Sequence, residues 1–159
     1  MHTNGELYEQ DFYAWTQTTA DLIRAGKWDD LDREALAEEI ESLGKSQYRE
    51  LWSRLDVLVM HLLKWCYQPR ERSGSRRSTI RTQRRELRRL LQQNPSLRPL
   101  IASVMADSYA EVRLDASDDT GLPLPTSPEA CPWTPEQVLD AAFWPEGKTP
   151  LPRRMGFTT

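Results

Sequence analysis

The chain of 159 residues carries 24 acidic and 21 basic side chains, which gives a formal net charge of −3 at pH 7. Its length fits one domain with a core of its own. Its main apolar run, about Val57–Leu63, is far shorter than the ~20 residues of a membrane span. The N-terminus lacks the basic and apolar regions of a secretory signal. With only Cys66 and Cys131, no disulfide framework is indicated, so we expect a reduced, cytoplasmic protein away from membranes.

The first helical pattern covers about Tyr8–Ala25, and an acidic helix capped by Asp32 follows it. Three apolar side chains of the acidic helix are expected to face inward: Leu36, Ile40 and Leu43. Three glutamates line its opposite side: Glu34, Glu38 and Glu41. Gly44 then predicts a kink or a break, because glycine is a poor residue for a helix interior.

The helix that resumes after Gly44 and runs to Cys66 is apolar over more than half of its circumference, which is typical of a central, surrounded helix. Further helices are predicted at about 79–93, with Ser78 as the cap, and at about 97–116. Thr134-Pro135-Glu136-Gln137 has the residues of a helix start with a capping box. It opens a short helix that ends near Trp144, and Trp133 and Trp144 are expected to clamp this helix onto the body.

These patterns predict an all-α fold, because no segment of useful length alternates with period two. We expect a single-domain helical bundle of about five main helices plus a short C-terminal helix, over residues 8–145. Residues 1–7 are expected to form an N-terminal tail and residues 146–159 an irregular C-terminal tail.

Five segments carry a family resemblance, in this order: YEQDFYAWTQTTADLIRAG, LDREALAEEIESLGK, SRLDVLVMHLLKWCYQP, STIRTQRRELRRLLQQNPSLR and CPWTPEQVLDAAFWP. Together they resemble the Domain of Unknown Function 29 family over roughly residues 8–145. The resemblance implies an all-α bundle and a cytosolic bacterial protein, and it supplies no established activity. One departure is visible, because the family pattern places a tryptophan after the hinge serine, whereas Ser75 is followed here by Arg76.

Acidic residues and one histidine form the first candidate site, for metal or acid–base chemistry. The weak candidates for metal ligands are Glu38, Glu41, Asp56 and His61. Helical bundles build metal centres from carboxylates and Glu-x-x-His pairs on facing helices. Neither glutamate has a histidine at that spacing, and Asp56 and His61 point about 140° apart on one helix. We therefore predict no cofactor, and the alternative of hydrogen-bonded polar groups inside a bundle is favoured.

An arginine stripe is the second candidate site. Residues 70–89 hold nine arginines against Glu71 and Glu86, a local charge of +7 that leaves −10 for the rest. Six of these arginines share an arc of about 140° on one helix: Arg77, Arg81, Arg84, Arg85, Arg88 and Arg89. They can pair internally, with glutamates of residues 34–41 or with Asp115, Asp118 and Asp119. They can also meet an acidic protein or the phosphates of a nucleic acid.

The sequence specifies no reaction, and we interpret the chain as a non-enzymatic protein-binding or regulatory module, antitoxin- or adaptor-like. The binding residues expected from the stripe and the acidic helix are Arg77, Arg81, Arg84, Arg85, Arg88, Glu38 and Glu41. The partner would be another protein with an acidic surface, or a second copy of the chain. Two alternatives stay open: nucleic-acid or phosphate binding through residues 77–89, and a metal-dependent enzyme that uses the helix carboxylates and His61.

Overall fold

The computed structural model describes residues 4–148, and all the regular structure among them is helical. The α-helices are α1 (Asn4–Gln10), α2 (Phe12–Arg24), α3 (Arg33–Tyr67), α4 (Gly74–Gln93), α5 (Ile101–Thr120) and α6 (Pro135–Leu139). Short 3-10 turns connect them, the longest at Pro95–Leu100. The predicted all-α class is confirmed. Within residues 4–148, no helix combines the length and the apolar character that crossing a membrane requires.

The fold divides into two compact units whose boundary lies inside α3, between Gln47 and Tyr48. The first unit contains α1, α2 and the beginning of α3. The single helix predicted over residues 8–25 is in fact two helices, because the Asp11 side chain accepts a hydrogen bond from the Ala14 amide at 3.0 Å and caps α2. Helix α1 begins at Asn4, inside the segment assigned to an N-terminal tail.

Helix α3 is continuous from Arg33 to Tyr67, so of the two alternatives predicted at Gly44 the break is wrong and the kink stays a prediction. The inward face predicted for the acidic part is also wrong, since Ile40 is 61 % exposed and Leu43 is 67 % exposed. The buried side instead carries Ala35 and Glu39. These residues lie one step along the chain, or about 100° around the helix axis, from the face predicted to be buried. Glu39 lies on that side because it accepts a hydrogen bond from the Tyr8 hydroxyl of α1 at 2.5 Å.

The second unit contains the larger core, and the part of α3 after Gln47 lies at its centre as predicted. Its fully buried side chains come from four helices: Leu51, Leu55, Leu58, Leu62, Leu63, Ile80, Leu87, Val104 and Val138. Helix α4 begins five residues earlier than predicted, because the cap is Ser73, which accepts from the Arg76 amide at 3.1 Å. Helix α5 continues past Ala116 and ends at Gly121, whose φ of 68° is left-handed.

The capping box of the last helix is confirmed, with Thr134 and Gln137 exchanging side-chain and backbone hydrogen bonds. Helix α6 ends at Leu139, earlier than predicted. The segment after it packs back onto α3, where the ring of Trp144 lies 4.8 Å from that of Trp65. The Lys148 amide donates to the Cys66 carbonyl at 2.8 Å. The remainder of the predicted C-terminal tail, residues 149–159, lies outside the described residues.

Candidate functional site

Charge is divided between the two units of the fold. Residues 1–47 hold eleven acidic and four basic side chains, a net charge of −7, whereas residues 48–159 hold thirteen acidic and seventeen basic ones, a net charge of +4. Most of the positive charge of the second unit comes from α4 and the turn before it. Five arginines of α4 are exposed, and we call them the arginine face: Arg77, Arg81, Arg85, Arg88 and Arg89.

Arg84, which the sequence placed in the same stripe, is buried and only 2 % exposed. Its Nε donates to the Val138 carbonyl at 2.9 Å, and its guanidinium lies 5.5 Å from the centre of the Trp144 ring. Burial lowers the pKa of the Arg84 guanidinium, against the smaller opposing effect of the Asp140 charge. Its Nη1 is also buried and has no hydrogen-bond partner within residues 4–148. Arg84 therefore holds α6 against α4 and retains one unused donor.

The arginines nearest the start of α4 are occupied by contacts within the second unit. Arg72 donates to the Trp65 carbonyl at 3.0 Å and stacks over the Trp65 ring at 4.6 Å. Arg77 also lies over that ring, at 5.5 Å. Arg76 donates to Gln68 Oε1 at 2.7 Å. These contacts fasten the turn after α3, so Arg77 is the most constrained member of the arginine face although it is exposed.

The rest of the arginine face is less constrained. Arg85 and Arg89 each approach Glu86, at 3.4 and 3.8 Å, in pairs exposed enough to contribute little stability. Arg81 and Arg88 form no ion pair with any described residue. Asp119, which the sequence offered as an arginine partner, is paired with Lys64. The exposed half of α4 therefore presents several cations with a single interspersed acid.

A cavity of about 170 Å³ opens beside the arginine face and is lined by Arg84, Arg88, Arg98, Leu91 and Leu139. We call it the three-arginine pocket. Its walls come from α4, α6 and the Pro95–Leu100 turn. Sequence reasoning missed Arg98, because it lies beyond Asn94-Pro95, where the helical pattern of the stripe stops. The only signal was its basic side chain near the start of the next predicted helix, at about 97–116.

The candidate metal residues are not gathered into a metal site in the described part of the chain, where no three His, Cys, Asp or Glu side chains are placed to hold an ion. Glu38 and Glu41 are exposed on α3. His61 contacts the Val57 carbonyl through Nδ1 at 2.8 Å, and burial lowers the pKa of its imidazole, as do the charges of Lys64 and Arg76. Burial raises the pKa of Asp56, which faces Ser108 and Trp52.

A larger cavity, of about 400 Å³, lies along α5 near Cys131 and Trp133. Small side chains of α5, including Ala102 and Ala106, form much of its wall. Cys66 and Cys131 are both free thiols, and burial raises the pKa of each. A raised thiol pKa reduces the thiolate fraction at neutral pH, so neither cysteine has the environment of an activated nucleophile.

Comparison with protein families matches the chain to the family model described as Domain of unknown function DUF29, over residues 7–144. Comparison with curated proteins gives no match, and neither does comparison with solved structures.

Proposed function

Because the chain belongs to the family described as Domain of unknown function DUF29, a description that names no activity, we propose a function from its own surface. The protein is a non-enzymatic binding module of an adaptor or antitoxin type. Its arginine face docks onto an acidic surface of a partner protein.

The observation that carries this proposal is the exposure of Arg81, Arg85, Arg88 and Arg89 on one well-packed helix. The opposite side of α4 is fixed in the core by Ile80, Leu87, Leu90 and Leu91. Docking therefore needs little rearrangement of the backbone that carries the cations. Guanidinium groups suit this role because they form two parallel hydrogen bonds with a carboxylate.

A protein partner fits this surface better than a nucleic acid. Aromatic side chains that could stack on bases are not free beside the arginine face, because Trp65 and Trp144 pack on each other. They also lie under the guanidinium groups of Arg72, Arg77 and Arg84.

The proposal is tested by affinity purification of the full chain from its native host, with mass spectrometry of bound protein, nucleic acid and metal. The variant Arg81→Gln/Arg85→Gln/Arg89→Gln removes three charges from the arginine face. The control Arg33→Gln/Arg49→Gln/Arg70→Gln removes three exposed charges elsewhere. We expect a co-purifying protein to be retained by the control and its recovery to fall about tenfold with the face variant.

Salt gives a second check on the same complex, since the Debye length falls from about 10 Å at 0.1 M to about 3 Å at 1 M. The partner should dissociate as the salt concentration rises over that range, and the complex should form again when the salt is diluted. Bound nucleic acid that depends on the same three arginines would contradict the proposal in favour of phosphate-backbone recognition. Stoichiometric metal in the purified protein would contradict its non-enzymatic part.

A further inference from the structure

We propose that the three-arginine pocket of the second unit binds a small phosphate-type oxyanion, either inorganic phosphate or the phosphate group of a small ester. This inference goes beyond the proposed docking and does not depend on it, because Arg81, Arg85 and Arg89 lie outside the pocket lining. Arg88 is the one member of the arginine face that also lines the three-arginine pocket.

The first observation is the guanidinium of Arg84, which lines the pocket and is incompletely paired. Its side chain is held in place by the Val138 carbonyl and by Trp144, yet its buried Nη1 has no partner in the described part of the chain. Buried donors are rarely left unpaired, because each loses its hydrogen bond to water without a replacement. Nη1 itself is enclosed, so an oxyanion in the adjoining pocket meets Arg84 through the part of the guanidinium that lines the pocket.

The charge of the pocket wall selects the class of ligand. Three guanidinium groups line it together with two leucines, and no acidic side chain belongs to the lining. Asp140 is the carboxylate whose charge acts on Arg84, and it is exposed. The nearest acid on α4, Glu86, is directed to Arg85 and Arg89. A phosphate dianion neutralises more of this positive charge than a carboxylate does, and guanidinium groups bind its oxygens in pairs.

The size of the pocket points to a small ligand. A cavity of about 170 Å³ holds much more than the single water molecule for which about 10–15 Å³ is enough. It has room for one phosphate group with its tetrahedral oxygens. The walls formed by Leu91 and Leu139 lower the local dielectric constant, which strengthens the attraction between the guanidinium groups and an anion.

The test uses thermal unfolding of the full chain with inorganic phosphate, at constant ionic strength set with chloride. With phosphate at ten times its Kd, we expect Tm to rise by about 4 °C, and a titration fixes that Kd. Arg98→Gln should remove most of the rise, because it deletes one pocket guanidinium while changing an exposed side chain that need not disturb folding. Isothermal calorimetry on the same two proteins gives a readout independent of unfolding.

Arg81→Gln is the matched control, since it removes the same charge from exposed α4 without touching the pocket lining. Retained phosphate binding in Arg81→Gln together with its loss in Arg98→Gln supports the pocket. Equal loss in both variants, or no rise in the parent chain, would overturn it in favour of a diffuse charge effect or no site. A parallel titration with glycerol phosphate distinguishes a phosphate ester from free phosphate as the ligand. If acetate binds as tightly as phosphate, the assignment of the pocket to a phosphate-type ligand is overturned. The docking proposal is unaffected by any of these results, because its variant leaves the pocket intact.

Discussion

Asp56 illustrates, at the scale of one residue, what a carboxylate costs inside a packed helix. It lies on α3 between two fully buried leucines, Leu55 and Leu58, and is itself half-buried. Burial raises its pKa, and hydrogen bonds with Ser108 and Trp52 counteract only part of that effect. One of its oxygens, Oδ1, is buried without a partner among the described residues. Its charged form is therefore less stable in the folded protein than in the unfolded chain.

Asp56→Asn is expected to raise the free energy of unfolding by about 1 kcal/mol at pH 7.5, because it removes an incompletely solvated charge and keeps an acceptor for Ser108. With a folded pKa above the unfolded 3.8, the penalty is absent at low pH and grows as pH rises through the folded value. Urea denaturation should therefore show a smaller difference at pH 4.5 than at pH 7.5. The exposed substitution Asp118→Asn is the control, and its free energy of unfolding should stay within about 0.5 kcal/mol of that of the parent chain at both pH values. A pH-independent gain for Asp56→Asn would contradict this explanation.

The residues of the candidate sites show why sequence alone could not locate the pocket. Helical spacing correctly grouped Arg81, Arg85 and Arg88, because a surface arc depends only on positions along one helix. Spacing also placed Arg84 beside the apolar side of α4, which predicted partial burial, but it predicted the same for Arg81, which is exposed. The Arg84 guanidinium is held by the Val138 carbonyl, 54 residues away, and spacing along one helix could not reveal that contact. Arg98 joins the pocket lining from the Pro95–Leu100 turn, which the periodicity of α4 does not cover.

At the scale of the elements, Gly44 shows how packing outweighs a local preference. A glycine in a helix interior costs about 1 kcal/mol relative to alanine, which is too little to interrupt a helix of 35 residues whose second part is buried. The capping-box residues at Thr134–Gln137 were enough to predict where α6 begins, because the hydrogen bonds of a capping box form within four residues. Ser73 and Ser78 are both chemically suitable caps for α4, and the local sequence does not show which of them begins the helix.

Gly44→Ala should stabilise the protein by about 0.5–1 kcal/mol, because a methyl group there meets no atom within 4 Å and restricts the unfolded chain. Gly121→Ala gives the contrasting result. It also meets no atom within 4 Å, but its φ of 68° strains any residue with a side chain. We expect it to destabilise by about 1 kcal/mol or more. Chemical denaturation of both variants measures the pair, and a loss of stability in Gly44→Ala would mean that α3 is not a regular helix at that position.

At the scale of the whole molecule, the apolar core is unevenly distributed. Between residues 4 and 47, the part of the first unit that the structure describes, the buried side chains are few: Trp15, Thr19 and Ala35. The second unit buries side chains from α3, α4, α5 and α6 in one continuous cluster. Exposed apolar side chains follow the same division, with Ile40 and Leu43 on the early part of α3. The three- and four-residue spacing of apolar residues predicted helices throughout, but it could not reveal that one end of α3 would have far less to pack against.

This distribution predicts a gradient of local stability along α3, which belongs to both units. Amide protons exchange through local opening, and the free energy of that opening depends on the buried contacts that must be broken. Native-state hydrogen exchange should therefore be about tenfold or more slower between Leu51 and Trp65 than between Leu36 and Lys45, although both stretches are helical. The amides of α5 from Val104 to Val112 serve as the internal reference, and they should match the slow stretch. Uniform protection from Leu36 to Trp65 would show that α3 opens as one cooperative unit despite its uneven burial.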